Sequence, residues 1–151
     1  MATGTSDPIS EITALLKARK DLIHDKDSAA LIAQSAPDVV SFDALPPLAR
    51  QGADALREKL TTWFGGYDGP IGFTIRNLAV TANDEIGFAH YLYQVTGTMT
   101  DGAAVDMWLR ATVGLAKRDG AWQITHEHTS VPFDAASGQA ALQLAPERDS
   151  A

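Results

Sequence analysis

Cysteine is absent from the 151 residues, which removes disulfide frameworks, thiolate metal sites and cysteine nucleophiles together. Basic residues are scarce as well: 12 Lys and Arg stand against 19 Asp and Glu, a formal net charge of -7. A field of that sign repels phosphate backbones and anionic headgroups, so neither nucleic acid nor a membrane surface is an expected partner. No stretch approaches the roughly 20 consecutive apolar residues of a membrane span. The opening MATGTSDPIS lacks the basic segment and apolar run of a secretory signal, and a cytoplasmic location is the expectation. No internal repeat, linker or long low-complexity tract divides the chain.

What is present is ordinary globular material. A composition 45% hydrophobic and 21% charged supplies a core of useful size, and the length suits one domain at roughly 100–200 residues per domain. The expected division is a flexible leader over residues 1–8, a single domain over 9–133 and a loosely held, Ala-rich tail over 134–151.

Helices come first. Asp7-Pro8 is a helix start, because Asp accepts from free backbone donors and Pro tolerates the first helical position. Ile12, Leu15, Leu16, Leu22 and Ile23 then recur at three- and four-residue steps, an apolar stripe ending near His24. Asp27 can cap a short second helix, Val39-Val40-Ser41-Phe42 reads as a strand stopped by Pro46-Pro47, and Leu56, Leu60, Trp63 and Phe64 mark a third helix. From Ile71 the pattern changes to four long strands, 71–81, 86–99, 105–116 and 122–133, separated by Asn83-Asp84, Asp101-Gly102 and Asp119-Gly120. In the first of them the apolar positions change parity between Ile75 and Leu78, which requires a bulge near Asn77. Helices in front and a meander behind argue α+β: helices on one face of a curved antiparallel sheet, a cone enclosing an apolar pocket.

The densest polar cluster is Trp122-Gln123-Ile124-Thr125-His126-Glu127-His128-Thr129-Ser130. On a regular strand His126 and His128 share a face, as two metal ligands would, and Glu127 points the other way. No third ligand follows at a recognisable spacing, so hydrogen bonding to neighbouring strands is the expected role of the pair and no metal is expected. One strand earlier, Asp106, Trp108, Arg110 and Thr112 share a face. Asp106 and Arg110 lie about 13–14 Å apart along the strand, so neighbouring strands must supply their partners, with His126 and His128 as candidates. A bulge would reverse which face lines the interior. Asp43 ends the apolar run Val39-Val40-Ser41-Phe42. Two readings stand: a desolvated carboxylate of raised pKa, usable as a base near neutrality, or a cap on the Pro-Pro turn.

Together EITALLKARKDLIHDKD, VVSFDALPP, GADALREKLTTWF, VDMWLRAT and DGAWQITHEHTSVPF resemble the NTF2-like superfamily, in particular its SnoaL-like and ketosteroid-isomerase-like branch, over about residues 9–133. The resemblance implies the cone fold with a pocket. In ketosteroid isomerases the general-base Asp ends the corresponding strand before a Pro-containing loop, and Asp43 matches that position. Their oxyanion hole uses a Tyr on the first helix and a protonated Asp in the later sheet. Here those places read Ala18-Arg19-Lys20 and an apolar strand near Val113, so steroid isomerisation through that oxyanion hole is not implied. SnoaL-branch members move a proton on a polyketide with Asp and His, types this chain has in Asp43, His126 and His128. Other relatives use the sheet as an assembly hub and end similarly in Trp, His-x-His and Ser.

The resulting expectation is a protein that binds a small apolar organic ligand and needs no cofactor. It is either an isomerase or cyclase moving a proton on a carbonyl compound, or a non-catalytic binding or oligomerisation module. Asp43, His128 and Arg110 are the candidate catalytic residues, and Trp63, Phe42, Trp108, His126 and Asp106 the candidate pocket. A homodimer is expected, since a sheet face bearing Trp108 or Trp122 would otherwise be exposed.

Overall fold

Residues 6–147 are described by the computed structural model; residues 1–5 of the expected leader and 148–151 of the expected tail lie outside the described residues. The Asp7 side chain accepts from the Ser10 N–H, and Pro8 opens helix α1, Pro8–His24. Along it Ile12, Leu16 and Ile23 are buried, with Leu15 and Leu22 packed against the same core, so the stripe read from the sequence faces inward. Asp27 accepts from Ala30 N–H and starts α2, Ser28–Ala33. The first strand, β1, runs Ser35–Phe42, longer than its apolar run suggested. After a two-residue strand β2, Arg50–Gln51, comes helix α3, Ala53–Gly65, whose Leu60 and Phe64 are buried.

Four long strands follow: β3 Tyr67–Ala82, β4 Ile86–Met99, β5 Ala104–Arg118 and β6 Ala121–Ser130. They pair antiparallel in sequence, and the six strands form one sheet in the order β2-β1-β6-β5-β4-β3. The expected meander is present. One strand departs from the expected all-antiparallel sheet: β1 lies parallel to β6, with Val40, Ser41 and Phe42 opposite His126, Glu127 and His128. The β3 bulge falls where the parity change required, between Arg76 and Ala79, with Asn77 in the left-handed region at φ 57°.

The sheet is curved and open, and its concave face carries the core. Ala89, Tyr91, Tyr93 and Val95 of β4 and Leu109, Ala111, Val113 and Leu115 of β5 point there, toward α1 and α3. A Cβ on Gly87 would stand 2.6 Å from Ile12 Cδ1, so glycine at that position lets α1 lie close to the sheet. The start of α1 is tied down by Glu11, whose Oε2 accepts from Trp122 Nε1 at 2.6 Å and from Lys117 Nζ at 3.3 Å. Trp122 is therefore a buried core residue under α1, which corrects the expectation that it could lie on an exposed sheet face. Past β6, Phe133 bridges Ala140, and the Ala141 N–H donates to Pro132 O at 2.7 Å, folding the chain back on itself.

Candidate functional site

A single irregularity decides which side chains of β6 enter the interior. Ile124 pairs with Leu115 and His126 with Gly114, leaving Thr125 as the extra residue of a bulge whose hydroxyl donates to Gly114 O at 3.2 Å. Trp122 and Ile124 point inward before it. After it the parity is reversed, so Glu127 and Thr129 point inward and His126 and His128 lie on the convex face. The two histidines share a face and Glu127 takes the other, as expected, and the bulge decides the question that alternation left open, which of the two faces lines the interior. The apolar sequence pattern carries the same signal as in β3: Trp122 and Ile124 are even-numbered, Val131 and Phe133 odd.

On the concave face Thr129 is buried at 4% exposure and holds the end of β1. Its hydroxyl accepts from the Ala44 N–H and donates to Asp43 Oδ1, both at 3.2 Å. The other Asp43 oxygen meets Lys59 Nζ of α3 at 2.8 Å, with only 12% of the Asp43 side chain and 19% of the Lys59 side chain exposed. Burial alone would push this carboxyl up. The Lys59 charge and hydrogen bond, helped by the Leu45 and Ala44 N–H groups, outweigh it and hold Asp43 below the ordinary carboxylate range. The expected raised pKa is thus corrected, and its cause is Lys59, a helix residue whose side chain returns to the strand end. The N–H groups of Leu45 and Ala44 are the turn-capping contacts of the second reading, and they coexist with the buried ion pair.

One inward step along β6, Glu127 faces Arg19 of α1. Both Glu127 oxygens lie 3.4 Å from the same Arg19 Nη2, a long contact on one nitrogen rather than a two-nitrogen fork. Burial opposes the charge of Arg19, but Glu127 keeps the guanidinium firmly protonated. Tyr91 and Tyr93 adjoin this pair, and burial drives both phenols far above their usual range, with the Glu127 charge adding to it and, at Tyr91, the Arg19 charge opposing it. Tyr93 also stacks on Phe73 at 5.1 Å between ring centroids. The concave face therefore holds a row that runs from Lys59 through Asp43 and Thr129 to Tyr93, Glu127 and Arg19. None of the last three was singled out as a site residue, because Arg19 and Glu127 are 108 positions apart and only the bulge turns Glu127 inward.

Asp43 also lines a cavity of about 370 Å³ at the open end of β1, together with Phe42, Leu48, Ala49 and His128. That volume falls in the range of small-molecule sites, about 300–1,000 Å³. The rings of Phe42 and His128 meet edge to face at 5.6 Å, and those of Phe42 and His126 at 4.8 Å. Three of the candidate residues, Asp43, Phe42 and His128, thus come together. The others do not. Trp63 packs beside Phe64 at 5.2 Å against the core. On the convex face, His126 is held to Val40 O at 2.8 Å, Arg110 Nε donates to Ser130 Oγ at 3.1 Å, and Asp106 accepts from Gln94 Nε2 at 2.7 Å. Trp108 shares that face, 6.0 Å from the Arg76 guanidinium. Asp106 and Arg110 do take partners from neighbouring strands, though neither partner is a histidine. Among the described residues no group of three or more His, Asp or Glu side chains is placed to hold a metal, and no helix is long and apolar enough to cross a membrane.

The SnoaL-like domain model matches residues 12–134. Among solved structures, an NTF2-like protein of unknown function from Pseudomonas putida superposes with a TM-score of 0.84 at 33% identity, covering 91% of this chain and 96% of that one. A ketosteroid isomerase-like protein from Erwinia carotovora gives 0.71 at 22% identity, covering 83% and 96%. The association domain of C. elegans CaMKII gives 0.63 at 19% identity, covering 80% and 93%. The last two likenesses are likenesses of fold. No curated protein matches the chain.

Proposed function

The chain belongs to the SnoaL-like domain family, and from that premise we propose that it binds a small apolar carbonyl compound beside Asp43 and moves a proton on it without a cofactor. The observation that carries this reading is a carboxylate at a strand end, mostly withdrawn from water, that borders an open, ligand-sized cleft walled by Phe42, Leu48, Ala49 and His128. A carbon acid next to a carbonyl needs a base within hydrogen-bond reach and an environment that excludes water. Asp43 supplies the base. Lys59 keeps it ionised well below neutrality, which makes the base always available and, by the same interaction, weaker. His128, on the same cavity, is the second group placed to carry a proton. Arg110 has no part in this step, since it is bonded to Ser130 and does not line the cavity.

The lowered pKa of Asp43 also favours a second reading, a ligand-binding module in which the Asp43–Lys59 pair closes the pocket and no bond is broken. Exchange at carbon separates the two. Small ketones incubated with the protein in heavy water should gain deuterium next to the carbonyl, followed by proton NMR, and Asp43→Asn should abolish the gain while circular dichroism stays unchanged. Binding without exchange would leave only the module; exchange undiminished in Asp43→Asn would remove Asp43 as the base.

We also propose a homodimer through the convex face, where Phe88 is 48% exposed and Trp108 lies between the polar rows. A second copy of the same face would cover both.

A further inference from the structure

The convex side of β5 carries two opposite charges placed evenly about an aromatic residue. Asp106, Trp108 and Arg110 stand outward in succession, the two charged side chains exposed and the indole half-buried between them. Each charge lies two residues from Trp108, about 6–7 Å to either side. Neighbouring strands hold both side chains in place without neutralising either. Asp106 Oδ1 accepts from Gln94 Nε2 at 2.7 Å, and Arg110 Nε donates to Ser130 Oγ at 3.1 Å. Among the described residues neither has an ion-pair partner, so one carboxylate oxygen and both terminal guanidinium nitrogens remain uncommitted.

Such an arrangement is complementary to itself. Two copies of one face meet through a two-fold axis in the plane of contact, and the direction of that axis decides which residues come together. An axis along β5 sets Asp106 over Asp106 and Arg110 over Arg110, so both contacts repel. An axis across β5 at Trp108 exchanges the two positions, so each Asp106 meets the other copy's Arg110 and both contacts attract. Facing sheets stand about 10 Å apart, a gap that a guanidinium and a carboxylate reaching toward each other close. The same axis lays Trp108 against its own copy, an aromatic centre between two ion pairs. Charge also favours this face: two chains of net charge -7 repel each other as wholes, and they associate best where opposite charges meet. Phe88 pairs with Gly114, six residues along β5 from Trp108, and in this orientation it meets the partner's turn at 100–103, at the rim of the contact.

We propose that the convex face docks a second copy of this chain in a register fixed by two symmetric Asp106–Arg110 pairs about a two-fold axis at Trp108. This rests on the homodimer reading above and adds the orientation and the residues that set it. Partner choice follows from the same geometry. A chain with one sign of charge at both positions is repelled by its own copy and pairs with a chain bearing the other sign at both.

The test is sedimentation equilibrium of the full chain with these charges exchanged. Asp106→Arg leaves two cations on each copy and Arg110→Asp two anions, and each should weaken self-association about a hundredfold or more. An equimolar mixture of the two should recover a dimer, and the doubly exchanged chain, Asp106→Arg with Arg110→Asp, should self-associate as the wild type does. Asp106→Asn and Arg110→Gln keep size and polarity; each should weaken the dimer about tenfold, and the double neutral variant should be no weaker than either. The neutral variants decide the matter where circular dichroism shows that an exchanged chain has lost its fold. Exchanged chains that dimerise like the wild type, a mixture and a doubly exchanged chain that both stay monomeric, or neutral losses that simply add would each overturn the register and leave the homodimer standing. A wild-type monomer would remove the homodimer and the register together.

Discussion

Replacing Lys59 by Met removes the ammonium from Asp43 Oδ2 while keeping a chain of similar length and bulk over the end of β1. The magnitude follows from where the pair sits. Fully exposed pairs contribute about 0–1 kcal/mol, and truncating one partner of a fully buried pair costs about 3–5 kcal/mol. With 12% and 19% of the side chains exposed, this pair lies between the two, and Lys59→Met should cost about 1–3 kcal/mol near neutral pH. For a domain of this length that is a fall in melting temperature of about 4–8 °C per 2 kcal/mol. The pH dependence has a definite sign. In the wild type the folded pKa of Asp43 lies below its unfolded value of about 3.9. Its contribution is therefore fully present above that value and lost as the pH falls through the folded pKa. Without Lys59 the carboxyl moves up, so the penalty of Lys59→Met should be largest near neutrality and shrink on acidification below about pH 4. Calorimetric or chemical unfolding at several pH values, repeated in an Asp43→Asn background where the penalty should largely vanish, measures the coupling. An equal loss at all pH values, or an equal loss with and without Asp43, would show that Lys59 acts through packing and not through Asp43.

Two simpler measurements test the frame that holds the site. Leu16→Ala and Leu60→Ala, at 0% and 5% exposure on the inward faces of α1 and α3, should each cost about 2–5 kcal/mol in urea unfolding, and losses below about 0.5 kcal/mol at both would contradict the packing. Sedimentation equilibrium at micromolar concentration should return a dimer that Phe88→Glu dissociates; a wild-type monomer would refute the convex-face contact.

How far these residues could be read in advance varied with the range of the interactions. The caps at Asp7 and Asp27 and the β3 bulge were legible because each is decided within four or five residues. Helix α1 and the limits of β4 followed from periodicity and from the turn residues that bound them. The parallel seam between β1 and β6 was not legible, since Val40 and His126 are joined only by the sheet, and Pro37 hid the first half of β1. The position of Asp43 could be read, but its ionisation could not, because Lys59 comes from another element. Alternation put Glu127 opposite the two histidines but left open which of those sides is the interior; applying to β6 the parity argument that found the β3 bulge would have turned it inward.

The bulge at Thr125 makes the lining of the interior a matter of counting. Were Thr125 instead drawn into regular pairing opposite Gly114, with the strand kept at its full length, alternation would run unbroken, bringing His126 and His128 to the concave side and sending Glu127 and Thr129 to the convex one. A carboxylate-and-hydroxyl chamber would become an imidazole chamber without a single side chain being substituted. Closely similar sequences of this architecture can therefore differ in chemistry by the presence or absence of one bulge. When such chains are compared, residues opposite Gly114 should be matched by their place in the ladder before they are matched by letter.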